Sequence, residues 1–181
     1  MKNLVIVELN KMRSLKSLKN LGKRNFILTV LLLIATVGGY AQNNRVMNVN
    51  DFINNLSSTS NTEQISKLKS YLKDLKPTVY VDNGVITKKT DNPACIFTDV
   101  KSIKSINTIG LDNRNIEYVS IKVKSKSDIV SPVDLGVFNE FPNLKYILLV
   151  FEFEISRSAA ETSVIKASEN QSVLYKVEIQ S

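Results

Sequence analysis

Asn115-Ile-Glu-Tyr-Val-Ser-Ile-Lys-Val123 and Asn143-Leu-Lys-Tyr-Ile-Leu-Leu-Val-Phe151 are the two stretches that decide the fold. They align at an offset of 28 residues, with Asn and Tyr coinciding and four apolar positions agreeing in kind. Tyr146 to Phe151 is apolar without alternation, which marks a strand covered on both faces, as in a parallel sheet. Equivalent units place the two strands side by side and parallel. Side chains alternate across a strand, so Val119 and Ile121 then share a face with Ile147 and Leu149. Tyr118 and Tyr146 lie together on the other face, next to Ser120 and Leu148. Between the units, Val133 to Phe141 reads as a turn through a short helix. A weaker third copy is Ser172-Val-Leu-Tyr-Lys-Val-Glu-Ile179, reached through a helix-like stretch from Ala159 to Ala167. Its apolar phase is displaced by one residue relative to its tyrosine.

Upstream, the pattern is helical and then changes to strand. Ile65, Leu68, Leu72 and Leu75 recur at helical spacing, after a capping option at Ser60-Asn61-Thr62 and before Pro77. Lys67, Lys69, Lys73 and Lys76 give that helix a solvated face. Thr78-Val-Tyr-Val81 and Val85-Ile-Thr87 then flank Asp82-Asn83-Gly84, which is a hairpin signal because Asn and Gly tolerate positive φ. Cys95-Ile-Phe97 reads as a short buried strand, and Val100, Ile103 and Ile106 as a helical turn. Val49 to Leu56 reads as a short helical turn capped by Asn50, followed by a polar loop from Asn54 to Asn61. The reading divides the chain into residues 1–41 as an export signal, 42–61 as a polar N-terminal segment and 62–181 as a single α/β domain. In that domain a helix and a hairpin lead into parallel, repeat-like strands with helical or loop crossovers.

Ile116-x-x-Val119-x-Ile121 and Leu144-x-x-Ile147-x-Leu149 resemble the strand segment of leucine-rich repeats, and an offset of 28 lies within that family's period. The resemblance covers about a third of the chain. Where the family places Asn after the strand, this sequence has Lys124 and Glu152. The Val79-Tyr-Val-Asp-Asn-Gly-Val85 hairpin, the two Asn-x-x-Tyr strands and the C-terminal Tyr-Lys-Val-Glu-Ile strand also resemble an uncharacterised family of small exported proteins of Gram-negative bacteria. That resemblance implies export and no particular activity.

Charge is distributed unevenly. Seven of the 24 basic residues and one of the 17 acidic residues lie in residues 1–41, which leaves 17 basic against 16 acidic residues beyond them. A nearly neutral domain lacks the basic footprint of a phosphate-backbone binder, so nucleic acid is not an expected partner. The leading segment runs from a basic stretch, Lys11 to Arg24, through an apolar run, Phe26 to Val37, to Gly39-Tyr40-Ala41. This is the order of a signal peptide, with cleavage expected before Gln42. Met12 offers a start that gives the basic region an ordinary length. The apolar run is shorter than the roughly 20 residues of a membrane helix, so no span is expected after cleavage. No cysteine stands at the cleavage point, so the expected product is periplasmic or secreted and not lipid-anchored.

The residue inventory narrows the chemistry. The chain has no histidine, which removes Ser-His-Asp and Cys-His catalysis and nearly all zinc sites. Cys95 is the only cysteine and sits in an apolar setting, so it reads as a core residue and no internal disulfide is possible. The only Gly-Gly pair lies in the leading segment, and there is no Gly-rich phosphate loop. No catalytic residue, cofactor or metal site is expected. Asp112-Asn113-Arg114-Asn115 reads as a polar turn in preference to a Ca²⁺ site. The expected function is a non-catalytic exported module that binds a protein or a glycan, with Tyr118, Tyr146 and Ser120 as candidate binding residues. The alternatives are a histidine-free hydrolase using carboxylates such as Glu152 and Glu154, and a structural envelope protein. Two convergent acids in a cleft would favour the hydrolase.

Overall fold

The computed structural model describes residues 46–179. The expected export signal, cleavage point and alternative start therefore lie outside the described residues. The chain order is β1 (Met47–Asn48), α1 (Val49–Ser58), α2 (Thr62–Lys73), β2 (Thr78–Asp82), β3 (Val85–Lys89), β4 (Cys95–Asp99), β5 (Tyr118–Val123), β6 (Val133–Asp134), β7 (Tyr146–Phe151), α3 (Arg157–Glu161), β8 (Val164–Ile165) and β9 (Ser172–Val177). Seven strands form one sheet in the order β1-β9-β7-β5-β4-β2-β3. Every pairing in it is parallel except the β2–β3 hairpin. The described residues form one α/β domain, as the sequence pattern implies.

The two quoted stretches pair in register, Tyr118 with Tyr146 through Val123 with Phe151. The register extends on both sides, with Cys95 opposite Tyr118 and Tyr146 opposite Ser172. The third copy is therefore a true neighbour. Its one-residue phase shift is also real: Tyr175 pairs with Leu149 and points to the face opposite that of Tyr118 and Tyr146.

The two faces of the sheet are covered differently. Val119, Ile121, Ile147, Leu149 and Val173 pack under the crossover segments, whose Ile103, Ile116, Leu135, Phe138 and Leu144 join the same core. These crossovers are short because they are built from 3-10 turns, at Val100–Ser105, Lys126–Ile129 and Gly136–Glu140. The other face, with Cys95, Tyr118, Tyr146, Leu148 and Leu174, is covered by α1 and α2 through Val49 and Leu68. Leu148 and Val150 are both buried, which fits an all-apolar strand with a layer on each side.

Several local expectations need correction. The stretch before residue 62 is not a separate polar segment. Met47–Asn48 pairs with β9, and α1 continues to Ser58 through most of the expected polar loop. Its cap is Asn48, whose side chain accepts the Asn50 amide at 2.9 Å, and not Asn50 itself. The helix runs on because Phe52 and Ile53, with Val49, pack on the core of that face, which outweighs the asparagines' weak propensity. Helix α2 ends at Lys73, so Leu75 leaves the stripe and stands fully exposed at 102%. Its cap is Asn61, which exchanges hydrogen bonds with Gln64 at 3.3 and 2.8 Å. Val133–Phe141 divides into β6 and a 3-10 turn, and Ala159–Ala167 into the end of α3 and β8. β6 and β8 pair with each other, so local backbone pairing takes the place of longer helices there.

Candidate functional site

The parallel register sets side chains of the helix-covered face in rows. One row is Thr78, Cys95, Tyr118, Tyr146 and Ser172, and the next is Tyr80, Phe97, Ser120, Leu148 and Leu174. The expected tyrosine pair is thus present and adjacent. Both rings are 2% exposed, and Ser120 is buried beside them. Tyr71 of α2 stacks on Tyr118 at 5.4 Å, and Phe52 of α1 meets the Tyr146 ring edge-on at 6.5 Å. The three candidate binding residues therefore form a packing ladder under two helices, which leaves little of them for a ligand to touch. Burial also pushes the Tyr118 hydroxyl well above its ordinary range.

Helix α2 is held down at one polar point that the sequence did not single out. Glu117, just before β5, accepts a hydrogen bond from the Tyr71 hydroxyl at 2.9 Å and pairs with Lys67. Burial works against its charge, but the bonds from Lys67 and Tyr71 and the charges of Lys67 and Lys145 prevail and hold its pKa below the ordinary carboxylate value. The clue was in the repeat. The third motif position is Glu117 in one copy and Lys145 in the next, and parallel strands bring those positions together.

Beyond the reach of the two helices, the same face opens at the carboxyl ends of β2, β4 and β5. A cleft of about 380 Å³ lies there, lined by Tyr80, Phe97, Asp82, Asp99, Lys122 and Lys124 among others. Carboxyl ends of parallel strands are where open α/β sheets take ligands. Tyr80 and Phe97 are register partners, and their rings stack at 5.5 Å and 17°. Tyr80 remains 40% exposed, and Lys88 of β3 stands 5.9 Å from its ring centre.

Two residues further along the same strands come Asp82 and Asp99. Lys124 bridges them at 3.6 and 3.5 Å. Asp99 also caps the following 3-10 turn, accepting the Ser102 amide at 2.8 Å and hydroxyl at 2.7 Å. Ser102 in turn accepts the Gly84 amide at 2.9 Å, which ties the hairpin to the strand ends. Burial raises the Asp99 carboxyl, but Ser102, Asp82 and Lys124 together outweigh it, so Asp99 titrates below its ordinary range. Lys122 pairs with Glu152 at 2.9 Å. Among the described residues, no buried side-chain polar atom lacks a partner.

The other candidates take plain structural roles. Strand β7 ends at Phe151, so Glu152 lies in a bend after it and Glu154 in the irregular chain beyond. Strand alternation no longer sets their directions there, so it does not place the two acids on one face. Asp112 closes a bidentate pair with Arg114 at 3.0 and 2.8 Å, which occupies the oxygens a cation would need. Cys95 is a free, buried thiol whose pKa burial pushes up to about 11. Among the described residues, no group of three or more acidic, cysteine or histidine side chains could hold a metal ion, and no helix is long and apolar enough to cross a membrane. Comparison with known proteins finds no matching family model, no matching curated protein and no matching solved structure.

Proposed function

We propose that this chain is a non-catalytic module, exported from the bacterial cytoplasm, that binds another protein or a surface glycan. The observation that carries the reading is the open cleft at the strand ends. It joins an exposed aromatic pair, Tyr80 and Phe97, to fixed hydrogen-bonding groups of both signs. Export rests on the basic, apolar and small-residue order of residues 11–41. The ligand surface differs from the Tyr118, Tyr146 and Ser120 set that the repeat suggested, since it lies on the neighbouring strands β2 and β4 and meets β5 only at its carboxyl end.

A second reading has a specific observation in its favour. Asp82 and Asp99 are two acids in one cleft, the arrangement a carboxylate hydrolase would use, in place of Glu152 and Glu154. Its chemistry is less well supported. A two-carboxylate mechanism needs both acids free to face a substrate, whereas Lys124 bridges Asp82 and Asp99, and Asp99 is also engaged by Ser102 as the cap of a 3-10 turn.

The test is a pull-down from envelope and culture fractions with the wild-type protein and Tyr80→Ala. A partner or glycan retained by the wild type and lost by the variant supports the reading. Equal retention by both removes the cleft from it, and retention by neither favours a purely structural role. The intact mass of the exported form is expected to begin at Gln42. An uncleaved, membrane-held form would overturn export as a free protein.

A further inference from the structure

We infer that the cleft takes a neutral, hydroxyl-rich ligand, namely a short segment of an uncharged oligosaccharide. The inference rests on the binding-module reading and names the chemistry of what is bound. Three features of the site point to it.

The first is charge. The two lysines that line the cleft each face a carboxylate: Lys122 meets Glu152 at 2.9 Å, and Lys124 sits between Asp82 at 3.6 Å and Asp99 at 3.5 Å. An anionic ligand would have to draw a lysine away from its carboxylate. A cationic ligand would have to take a carboxylate from its lysine. Either exchange leaves a charge that has lost its partner, and at Asp99, 6% exposed, that loss is costly. A hydroxyl group avoids the exchange. It donates to a carboxylate and accepts from an ammonium group at once, so it can join the network without displacing any member.

The second is the aromatic pair. Tyr80 is 40% exposed and Phe97 half-buried, so the cleft presents a rigid apolar wall with a phenol hydroxyl on it. A pyranose has a matching character, with an apolar face of C–H groups and a rim of hydroxyls. A peptide backbone lacks that face, and a purely apolar ligand would leave the charged network dry.

The third is size and rigidity. A volume of about 380 Å³ is near the lower end of small-molecule sites, which suits a short saccharide segment. The groups are already in place: Asp99 is fixed by three hydrogen-bond donors, two from Ser102 and one from Lys124, so little ordering remains at binding.

The experiment is an ¹H–¹⁵N NMR titration of the purified protein with maltohexaose, cellohexaose, chitohexaose and a neutral galactose oligomer. Hexagalacturonate and a lysine-rich hexapeptide serve as charged comparisons. The expected result is saturable shifts of the Tyr80, Phe97, Asp99 and Lys124 amides with at least one neutral oligomer. Tyr80→Ala weakens that binding by roughly tenfold or more, and Tyr80→Phe, which keeps the ring, restores most of it. Saturation at the cleft by only hexagalacturonate or the peptide overturns the ligand class and leaves the binding-module reading standing. Release of shorter oligosaccharides supports the ligand class and overturns the non-catalytic reading. No saturable shift at the cleft with any neutral oligomer overturns the inference.

Discussion

Tyr71 of α2 lies parallel to Tyr118 of β5, with ring centroids 5.4 Å apart and planes within 4°. The Tyr71 hydroxyl continues past the stack to Glu117, the residue just before Tyr118, at 2.9 Å. One side chain thus fixes the helix to the sheet through both a ring face and a hydrogen bond, and the two parts are separable by substitution. Tyr71→Phe keeps the stack and removes the bond, and should cost about 1 kcal/mol. Tyr71→Ala removes both and should cost about 3 kcal/mol. Urea unfolding midpoints measure both. Equal losses for the two variants would mean that the stack contributes nothing.

The sequence showed much of this arrangement and hid one part of it. The adjacency of Tyr118 and Tyr146 was legible because a 28-residue offset with matching Asn, Tyr and apolar positions leaves one parallel register. The hairpin at Asn83-Gly84 was legible because its two residues have the positive φ such a turn demands, 49° and 79°. What covers the tyrosines was not legible. Tyr71 follows Leu68 by one turn on the face of the leucine stripe, and Phe52 sits in the short turn read over Val49–Leu56, but apolar spacing does not say which part of the sheet either ring meets. The cleft was hidden for a related reason. Tyr80, Asp82, Phe97 and Asp99 come from two strands whose parallel pairing is a long-range event, and no local motif records it. The only trace was that β2 and β4 each place an aromatic two residues before an acid, as Tyr80-x-Asp82 and Phe97-x-Asp99.

Acid should loosen the α2 anchor. Glu117 titrates below its ordinary carboxylate value in the fold, so its stabilising contribution is complete above the unfolded-state pKa of about 4.3 and fades as pH falls through the lower folded value. The expected outcome is a melting temperature that drops on acidification below about pH 4.5. Glu117→Gln should start from a lower melting temperature at pH 7 and show a shallower drop. If its pH profile runs parallel to that of the wild type, Glu117 is not the responsible group.

Cys95 should behave as a core atom. Its side chain is buried in the row beside Tyr118, and burial pushes its thiol pKa up to about 11, so thiolate is scarce at neutral pH. A thiol reagent should label it only as fast as the protein unfolds, with labelling accelerating in urea. Cys95→Ser should lower stability by about 1 kcal/mol or more, since it buries a hydroxyl in place of a thiol. Rapid labelling of the native protein would contradict this placement.

Gly84 links the hairpin to the cleft. Its φ is +79°, where a side chain is strained, and an added Cβ would approach the Ser105 hydroxyl oxygen to 2.9 Å. The hydroxyl can swing aside, so the backbone conformation sets most of the cost, about 1 kcal/mol for Gly84→Ala. Asn83→Gly asks for no new conformation, because glycine accepts the same positive φ, and should change stability by less than about 0.5 kcal/mol. The Gly84 amide donates to Ser102, whose hydroxyl donates to Asp99. Gly84→Ala should therefore shift the amide resonances of Ser102 and Asp99 as well as those of the turn, while Asn83→Gly leaves them in place. Urea midpoints and an amide NMR spectrum of each variant check both parts. An unmoved Asp99 resonance in Gly84→Ala would show that the hairpin and the strand-end acids are not mechanically joined.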